Sequence, residues 1–255
     1  MKIIYGPVAS WRLGKSLGID LICSEKKICS FDCIYCQLEK TDKITRQRKS
    51  FISLDKLKED LQHALNQTTP DVITFSGTGE PTLAKNMNQA IQIIRELTDL
   101  PLAILTNSSL MYDKTVQNNL NKLDVIVSKL DAPNQELFQK INRPANGITF
   151  ENTFAGIKML RKKFKGKFAL QIMFIKENKN YVHELAKLAK DIKPDEVQIN
   201  TPLRPSKVKP LPKEELDEIE KCFVGLNTLS VYKSPKPMTD PLDKLELIKR
   251  RRMEP

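Results

Sequence analysis

LGIDLICSEKKICSFDCIYCQLEK (17–40) is the stretch from which the rest of the chain can be read. Its first six residues, LGIDLI, form a short apolar run of the kind that makes a buried strand, and a polar loop carrying cysteines follows at once. The chain has five cysteines, and three of them, Cys29, Cys33 and Cys36, fall within eight residues. An odd count concentrated in one loop does not fit a disulfide framework; it fits a metal or cluster site. Thiolates are the usual ligands of iron–sulfur clusters, and four complete a cubane. Three from one loop therefore wrap a 4Fe–4S cluster and leave one iron open, and an open position marks a reactive centre rather than a closed structural one. The rival is zinc or a plain electron-transfer cluster with Cys23 as fourth ligand, because His63 and His183, the only histidines, lie far off on expected helices.

Outward from this loop, short apolar runs alternate with amphipathic segments. Strands are expected at 17–22, 71–76, 102–107, 124–130, 167–175 and 196–200, and helices at 54–67, 86–98, 112–123, 149–164 and 181–192. Alternating βα units with nearly all-apolar strands predict a parallel sheet covered on both faces, either an open wound sheet or a partial barrel. After Asn200 the texture changes: TPLRPSKVKPLPK (201–213) holds four prolines, then come a helix (213–226), a short strand (228–232) and a basic terminal helix. Residues 1–200 are expected to form the barrel, and residues 201–255 an extension packed on it, since about 55 residues broken by prolines hold a small core at best.

The segment CSFDCIYC (29–36) matches the CxxxCxΦC motif, with Tyr35 as the aromatic Φ. It resembles the radical S-adenosylmethionine (SAM) superfamily. The resemblance implies a (β/α)6 partial TIM-type barrel, a 4Fe–4S cluster on Cys29, Cys33 and Cys36, and SAM on the open iron. It also implies one-electron cleavage of SAM to a 5′-deoxyadenosyl radical that abstracts a hydrogen atom from substrate. SGTGEPTL (76–83) resembles the family's GGEP turn, which carries SAM binding over to Gly77, Gly79 and Glu80; alone it reads as a glycine turn capped by Thr82. TNSS (106–109) ends the third expected strand, at the edge where α/β folds bind ligands. Thr106 and Asn107 are SAM candidates there, although helix capping by Ser108 or Ser109 explains the same letters. On the fourth strand the resemblance implies that Ser128 lies near SAM and that Asp131 faces the substrate cavity. Lys129 and Asp131 are the catalytic candidates, against a plain surface ion pair. Gln171, buried among FALQIMFI, needs a polar partner, and SAM is one. Asn200 completes the cofactor set, and Tyr35 belongs to it through the motif.

The entry YGPVASWRLGKSLGIDL (5–21), the KICSFDCIYCQLEKT loop (27–41) and INRP (141–144) resemble the subgroup that contains the wyosine-base synthases of tRNA modification. The 4-demethylwyosine synthases carry a second cluster on three N-terminal cysteines, whereas only Cys23 precedes Cys29 here, so a different substrate is expected. Gly14-Lys15-Ser16 is not a phosphate loop, because the upstream glycine is Gly6, too distant for GxxxxGK(S/T), and the tripeptide precedes a strand.

The net charge of +11 favours a polyanion such as tRNA, against the bland reading of a lysine-rich solvated surface. A protein or peptide substrate, and a non-enzymatic iron–sulfur or zinc module, are the alternatives. The other expected partner is a reductant protein of flavodoxin or ferredoxin type. No run approaches the roughly 18 apolar residues of a membrane span, and the N-terminus lacks a signal-peptide core. A cytoplasmic monomer without membrane contact is expected.

Overall fold

The computed structural model describes residues 1–38 and 40–251; the end of the basic run KRRR (249–252) in the expected terminal helix lies outside the described residues. In chain order the elements are β1 (Ile4–Ser10), β2 (Gly14–Ile19), β3 (Ile28–Cys29), β4 (Lys43–Ile44), α1 (Leu54–Gln67), β5 (Val72–Phe75), α2 (Met87–Leu97), β6 (Leu102–Thr106), α3 (Lys114–Leu120) and β7 (Val125–Lys129). There follow α4 (Gln135–Asn142), α5 (Phe150–Lys163), β8 (Lys167–Met173), α6 (Val182–Ile192), β9 (Glu196–Asn200), α7 (Lys213–Lys221), β10 (Thr228–Ser230) and α8 (Lys244–Arg251).

One eight-stranded sheet runs in the order β1-β2-β5-β6-β7-β8-β9-β10, with its two ends unpaired. From β2 to β10 every pairing is parallel, and only β1 runs antiparallel, against β2. This is the α/β partial barrel, with the β strands buried and the helices laid along its outside. The fully apolar strands are explained by burial on both faces: Ile73, Phe75, Ile104, Phe168 and Ile199 are completely covered. Helix α1 turns Leu57, Leu61 and Ala64 inward and starts at Ser53, whose hydroxyl accepts from Lys56 N.

The structure adds β1 at one edge of the six expected barrel strands, and at the other edge the short strand expected at 228–232 joins the sheet as β10. β1 forms over IYGPVAS; Gly6 and Pro7 fall at an irregularity in its pairing with β2, between Tyr5 and Val8, where an edge strand tolerates proline. β10 extends the parallel run beyond β9. The segment between β7 and α5 contains α4, a helix of eight residues started by Asn134, whose side chain accepts from Leu137 N.

Residues beyond Asn200 cross the molecule. Leu242 N donates to Gly6 O at 2.7 Å, and Arg250 of α8 reaches the other end of the chain. Its guanidinium donates to Asp20 Oδ2 at 2.7 Å and to Glu246 Oε1 at 2.8 Å, bonds Lys2 O, and lies 4.5 Å from the Tyr5 ring centroid.

Candidate active site

The cysteine loop leaves β2 at Asp20, a fully buried carboxylate. Its Oδ1 accepts from Ile22 N (3.0 Å) and Cys23 N (2.8 Å), which starts the loop. Its Oδ2 accepts from Thr78 N (3.0 Å) and Thr78 Oγ1 (2.8 Å), which ties the loop to the glycine turn after β5. Burial lowers the pKa of Arg250, but the charge and hydrogen bond of Asp20, together with Tyr5 and Glu246, outweigh it, so the net direction is upward and the guanidinium stays charged.

The glycine turn lies against the loop with no room for a side chain. A Cβ on Gly79 would stand 1.7 Å from Ile28 O, and Gly77 has φ +133° with a Cβ position 2.2 Å from Asp20 Cγ. That contact lets Ile28 N donate to Thr78 O (3.3 Å) and Glu80 N to Ile28 O (3.3 Å), so turn and loop are zipped together. On its other side the loop is laced to residues 141–145. Ile34 N donates to Ile141 O at 2.9 Å, Asp32 N to Asn142 O at 3.0 Å, and Ala145 N to Ser30 O at 2.8 Å.

Cys29, Cys33 and Cys36 sit on this double-laced loop, and all five cysteines are free thiols. Burial pushes the Cys29 thiol up to about 12, and burial raises that of Cys33 as well. Lys27 is buried beside them; desolvation lowers its pKa, but the charges of Cys36 and Cys29 override this and raise it. Such pairing is what a group of thiolates brought together by a cluster needs. Among the described residues no three His, Cys, Asp or Glu side chains converge as a single metal ion requires. Three free thiols carried on one loop are a donor set of the kind that holds an iron–sulfur cluster.

A cavity of about 320 Å³ opens beside the loop. Tyr35, Cys36, Gly77, Gly79, Lys129 and Met173 line it, and Arg12, Arg204 and Arg250 add guanidinium groups. Arg204 donates twice to Gln37 Oε1 (2.8 and 3.0 Å), which links the segment after β9 to the residue following Cys36. A second cavity of about 580 Å³ shares Leu38, Thr78 and Arg250 with the first and is lined also by Glu25, Lys26, Lys27, Lys40, Asp42 and Lys249.

The expected site residues separate into three groups. Gly77, Gly79, Tyr35 and Lys129 face the smaller cavity. Gln171 lies on the barrel's inner face in register with Lys129 and Gln198, buried, and its Nε2 has no partner among the described residues. An orphaned amide inside the barrel fits a polar ligand. Glu80, Thr106 and Asn107 form one knot at the strand ends. Glu80 Oε1 accepts from Thr82 N, Thr82 Oγ1 and Thr106 Oγ1, and Oε2 accepts from Asn107 N at 2.7 Å, which leaves Oε2 acceptor capacity. Burial raises the Glu80 pKa, and the four donors oppose the rise without cancelling it.

The remaining candidates stand elsewhere. Ser128 is turned to the outer face, because neighbours along a strand alternate, and Lys129 takes the inner one. The Ser128 hydroxyl bonds Ser108 Oγ (2.8 Å) and contacts Met111 Sδ (3.9 Å). Asn200 uses Oδ1 on Thr201 N at 2.9 Å. Asp131 is buried with both oxygens engaged: Oδ1 accepts from Met173 N (2.8 Å), and Oδ2 accepts from Asn142 Nδ2 (3.1 Å) and from the Tyr35 hydroxyl. Lys129 Nζ donates to Tyr35 Oη at 2.8 Å, lies 3.5 Å from Asp131 Oδ2, and stands 4.1 Å above the Tyr35 ring. Asp131 thus positions Tyr35 and Lys129 and does not itself front the cavity. Burial first, and then the Asp131 charge, hold the Tyr35 hydroxyl well above its ordinary pKa, so it stays protonated.

Sequence reasoning passed over Asp20, Asn142 and Arg250. Asp20 carried a signal, a carboxylate at the end of an apolar strand. Arg250 carried none, since its partner is 230 residues away.

A sequence profile of the Radical SAM superfamily matches residues 26–189. A UPF0026 protein of Synechocystis sp. is 42% identical over 216 residues, which covers 83% of this chain and 78% of that protein. The GTPase Obg of Brachyspira hyodysenteriae is 35% identical over 97% of this chain, and the match spans only 38% of that protein. Among solved structures, SuiB of Streptococcus suis bound to S-adenosylmethionine superposes with a TM-score of 0.62 at 18% identity, over 80% of this chain and 48% of that one.

Proposed function

The chain belongs to the radical SAM superfamily, and on that premise we propose that it uses a 4Fe–4S cluster on Cys29, Cys33 and Cys36, together with SAM, to modify a base of tRNA. The observation that carries this reading is the pairing of three thiols on one loop with a small cavity at the end of the parallel strands. When bound, the cluster and SAM supply a 5′-deoxyadenosyl radical that removes a hydrogen atom from substrate.

The chain's own residues have divided tasks. Gly77 and Gly79 expose backbone to SAM, and Glu80 offers the remaining acceptor capacity of Oε2 to its ammonium. Gln171 would offer its unpartnered Nε2 to the same ligand from inside the barrel, and Tyr35 lines the same cavity. Lys129, held by Tyr35 and Asp131, presents its ammonium to the substrate side of the cavity. Thr106 and Asn107 hold Glu80 in place, and Asn200 shapes the strand end. We take residues 1–200 as the catalytic barrel and residues 201–255 as an extension packed on it.

Three features support tRNA as substrate: the net charge of +11, the guanidinium groups of Arg12 and Arg204 at the cavity, and the likeness of the entry, cysteine loop and INRP segment to the wyosine subgroup. Phosphate contacts give binding that weakens with salt. Superfamily enzymes need a reductant, and a flavodoxin or ferredoxin is the proposed donor. Among the described residues no helix is long and apolar enough to cross a membrane, which accords with a cytoplasmic enzyme.

The test is to reconstitute the protein anaerobically and to add reductant, SAM and either bulk tRNA or a peptide extract. Faster 5′-deoxyadenosine release with tRNA, and a new modified nucleoside after digestion, support the reading. Stimulation by peptides alone overturns the tRNA assignment.

A further inference from the structure

Among the described residues each of the three sulfurs has an amide N–H at 3.5 Å, besides the Phe31 backbone at Cys29 and Lys27 at Cys36. Asn107 Nδ2 lies 3.5 Å from Cys29 Sγ, Asn142 Nδ2 lies 3.5 Å from Cys33 Sγ, and Leu38 N lies 3.5 Å from Cys36 Sγ. The last is a backbone group two residues on from its cysteine. The first two are side chains from remote parts of the chain, 78 and 109 residues away.

Asn142 is delivered by the lacing of residues 141–145 against the loop, and it is almost fully buried at 2% exposure. Its Nδ2 faces three acceptors: Cys33 Sγ, Tyr35 Oη at 3.3 Å and Asp131 Oδ2 at 3.1 Å. All three call for the donor end of the amide. Its Oδ1 is buried and has no partner among the described residues. A residue kept only to hold the loop would satisfy both ends or be apolar, because an unpaired buried carbonyl is costly. The backbone of residues 141–145 already holds the loop without this side chain. Asn107 is likewise anchored by its other atoms: its N donates to Glu80, its Oδ1 accepts from Ser109 N, and its Nδ2 also reaches Ser30 Oγ at 2.8 Å.

We propose that Asn107 and Asn142 are positioning residues that set the reduction potential of the cluster by donating N–H bonds to the Cys29 and Cys33 thiolates. The inference rests on the reading of these cysteines as cluster ligands. Reduction adds negative charge to the cluster, and that charge spreads onto the thiolate sulfurs. Donors aimed at the sulfurs stabilise the reduced form more than the oxidised one, so hydrogen bonding to sulfur raises the potential. Leucine at 142 keeps the number and branching of side-chain heavy atoms and removes the donor, and alanine at 107 removes the donor while leaving the Glu80 bond, which uses the backbone.

The experiment is a dye-mediated redox titration of the cluster, followed by electron paramagnetic resonance, on the reconstituted wild type, Asn142→Leu, Asn107→Ala and the double variant. Iron content is measured on each sample. The expected result is full cluster occupancy in each single variant with a midpoint potential below that of the wild type, and a lower one still in the double variant. Wild-type potentials in both single variants at full occupancy overturn the proposal. If Asn142→Leu takes up no cluster, Asn107→Ala on the other thiolate decides the matter alone. Loss of the cluster from both single variants also overturns it, in favour of a purely structural role. A wild-type protein that binds no cluster defeats instead the reading of the three cysteines.

Discussion

Glu80 sets how the cofactor pocket responds to acid. Its pKa lies above the ordinary glutamate value because it is buried, even with Thr106, Asn107 and Thr82 donating to it. A carboxyl group whose pKa is raised on folding favours the folded state when protonated. That contribution is complete below the unfolded value and is lost as pH rises through the folded one. The ammonium of SAM needs the ionised form. Titration calorimetry on the cluster-loaded protein is therefore expected to show SAM affinity falling as pH drops through the raised Glu80 pKa. Glu80→Gln is expected to weaken SAM by about 10-fold or more, since a hydrogen bond to a charged group contributes about 1.5–3 kcal/mol, and to flatten that pH dependence. Lys129 gives the second expectation at this scale. Its side chain is 17% exposed, and Asp131 keeps Tyr35, Asn142 and Met173 as donors without it. Lys129→Met should fold and bind cluster and SAM normally, while product formation drops by about 10²-fold, the scale of a lost general acid or base. Unchanged product formation in that variant would remove Lys129 from the chemistry.

At the scale of elements, the glycine turn and the cysteine loop behave as one unit. Gly79→Ala places a methyl group into Ile28 O, which neither backbone can yield to cheaply. A stability loss on the order of 2–4 kcal/mol, read from urea unfolding, together with loss of cluster uptake, is the expected outcome. This unit was legible in the sequence because its parts are local: a cysteine spacing, a GTGEP turn and apolar runs. Helix α1 coincides with the expected 54–67 because leucines repeat at helical spacing behind a serine cap. What was not legible depends on distant partners. β1 is a strand because β2 lies beside it, although Gly6-Pro7 argues locally for a turn. Helix α4 has only eight residues behind a proline, and Asn142 at its end gains meaning only when residues 141–145 meet the loop. Ser128 and Lys129 are adjacent on a strand and so point to opposite faces, but which of the two faces lines the cavity shows only in the folded sheet.

Across the whole molecule, the two ends of the chain meet at the site. Arg250 of α8 grips Asp20, and Asp20 in turn grips Thr78 of the glycine turn. Removing one member of a buried ion pair leaves the other charge uncompensated, at a cost of about 3–5 kcal/mol. Arg250→Met is expected to lower stability on that scale in urea unfolding and to weaken SAM binding, although Arg250 lies outside the superfamily's matched segment. A variant as stable as the wild type would show that α8 is dispensable. The decisive measurement concerns what this assembly does as a unit: quantifying 5′-deoxyadenosine after anaerobic reconstitution with iron and sulfide, addition of SAM and one-electron reduction. The account predicts 5′-deoxyadenosine from the wild-type protein and none from Cys33→Ala. An intact, reducible cluster with SAM bound and no 5′-deoxyadenosine, with or without tRNA, would contradict it.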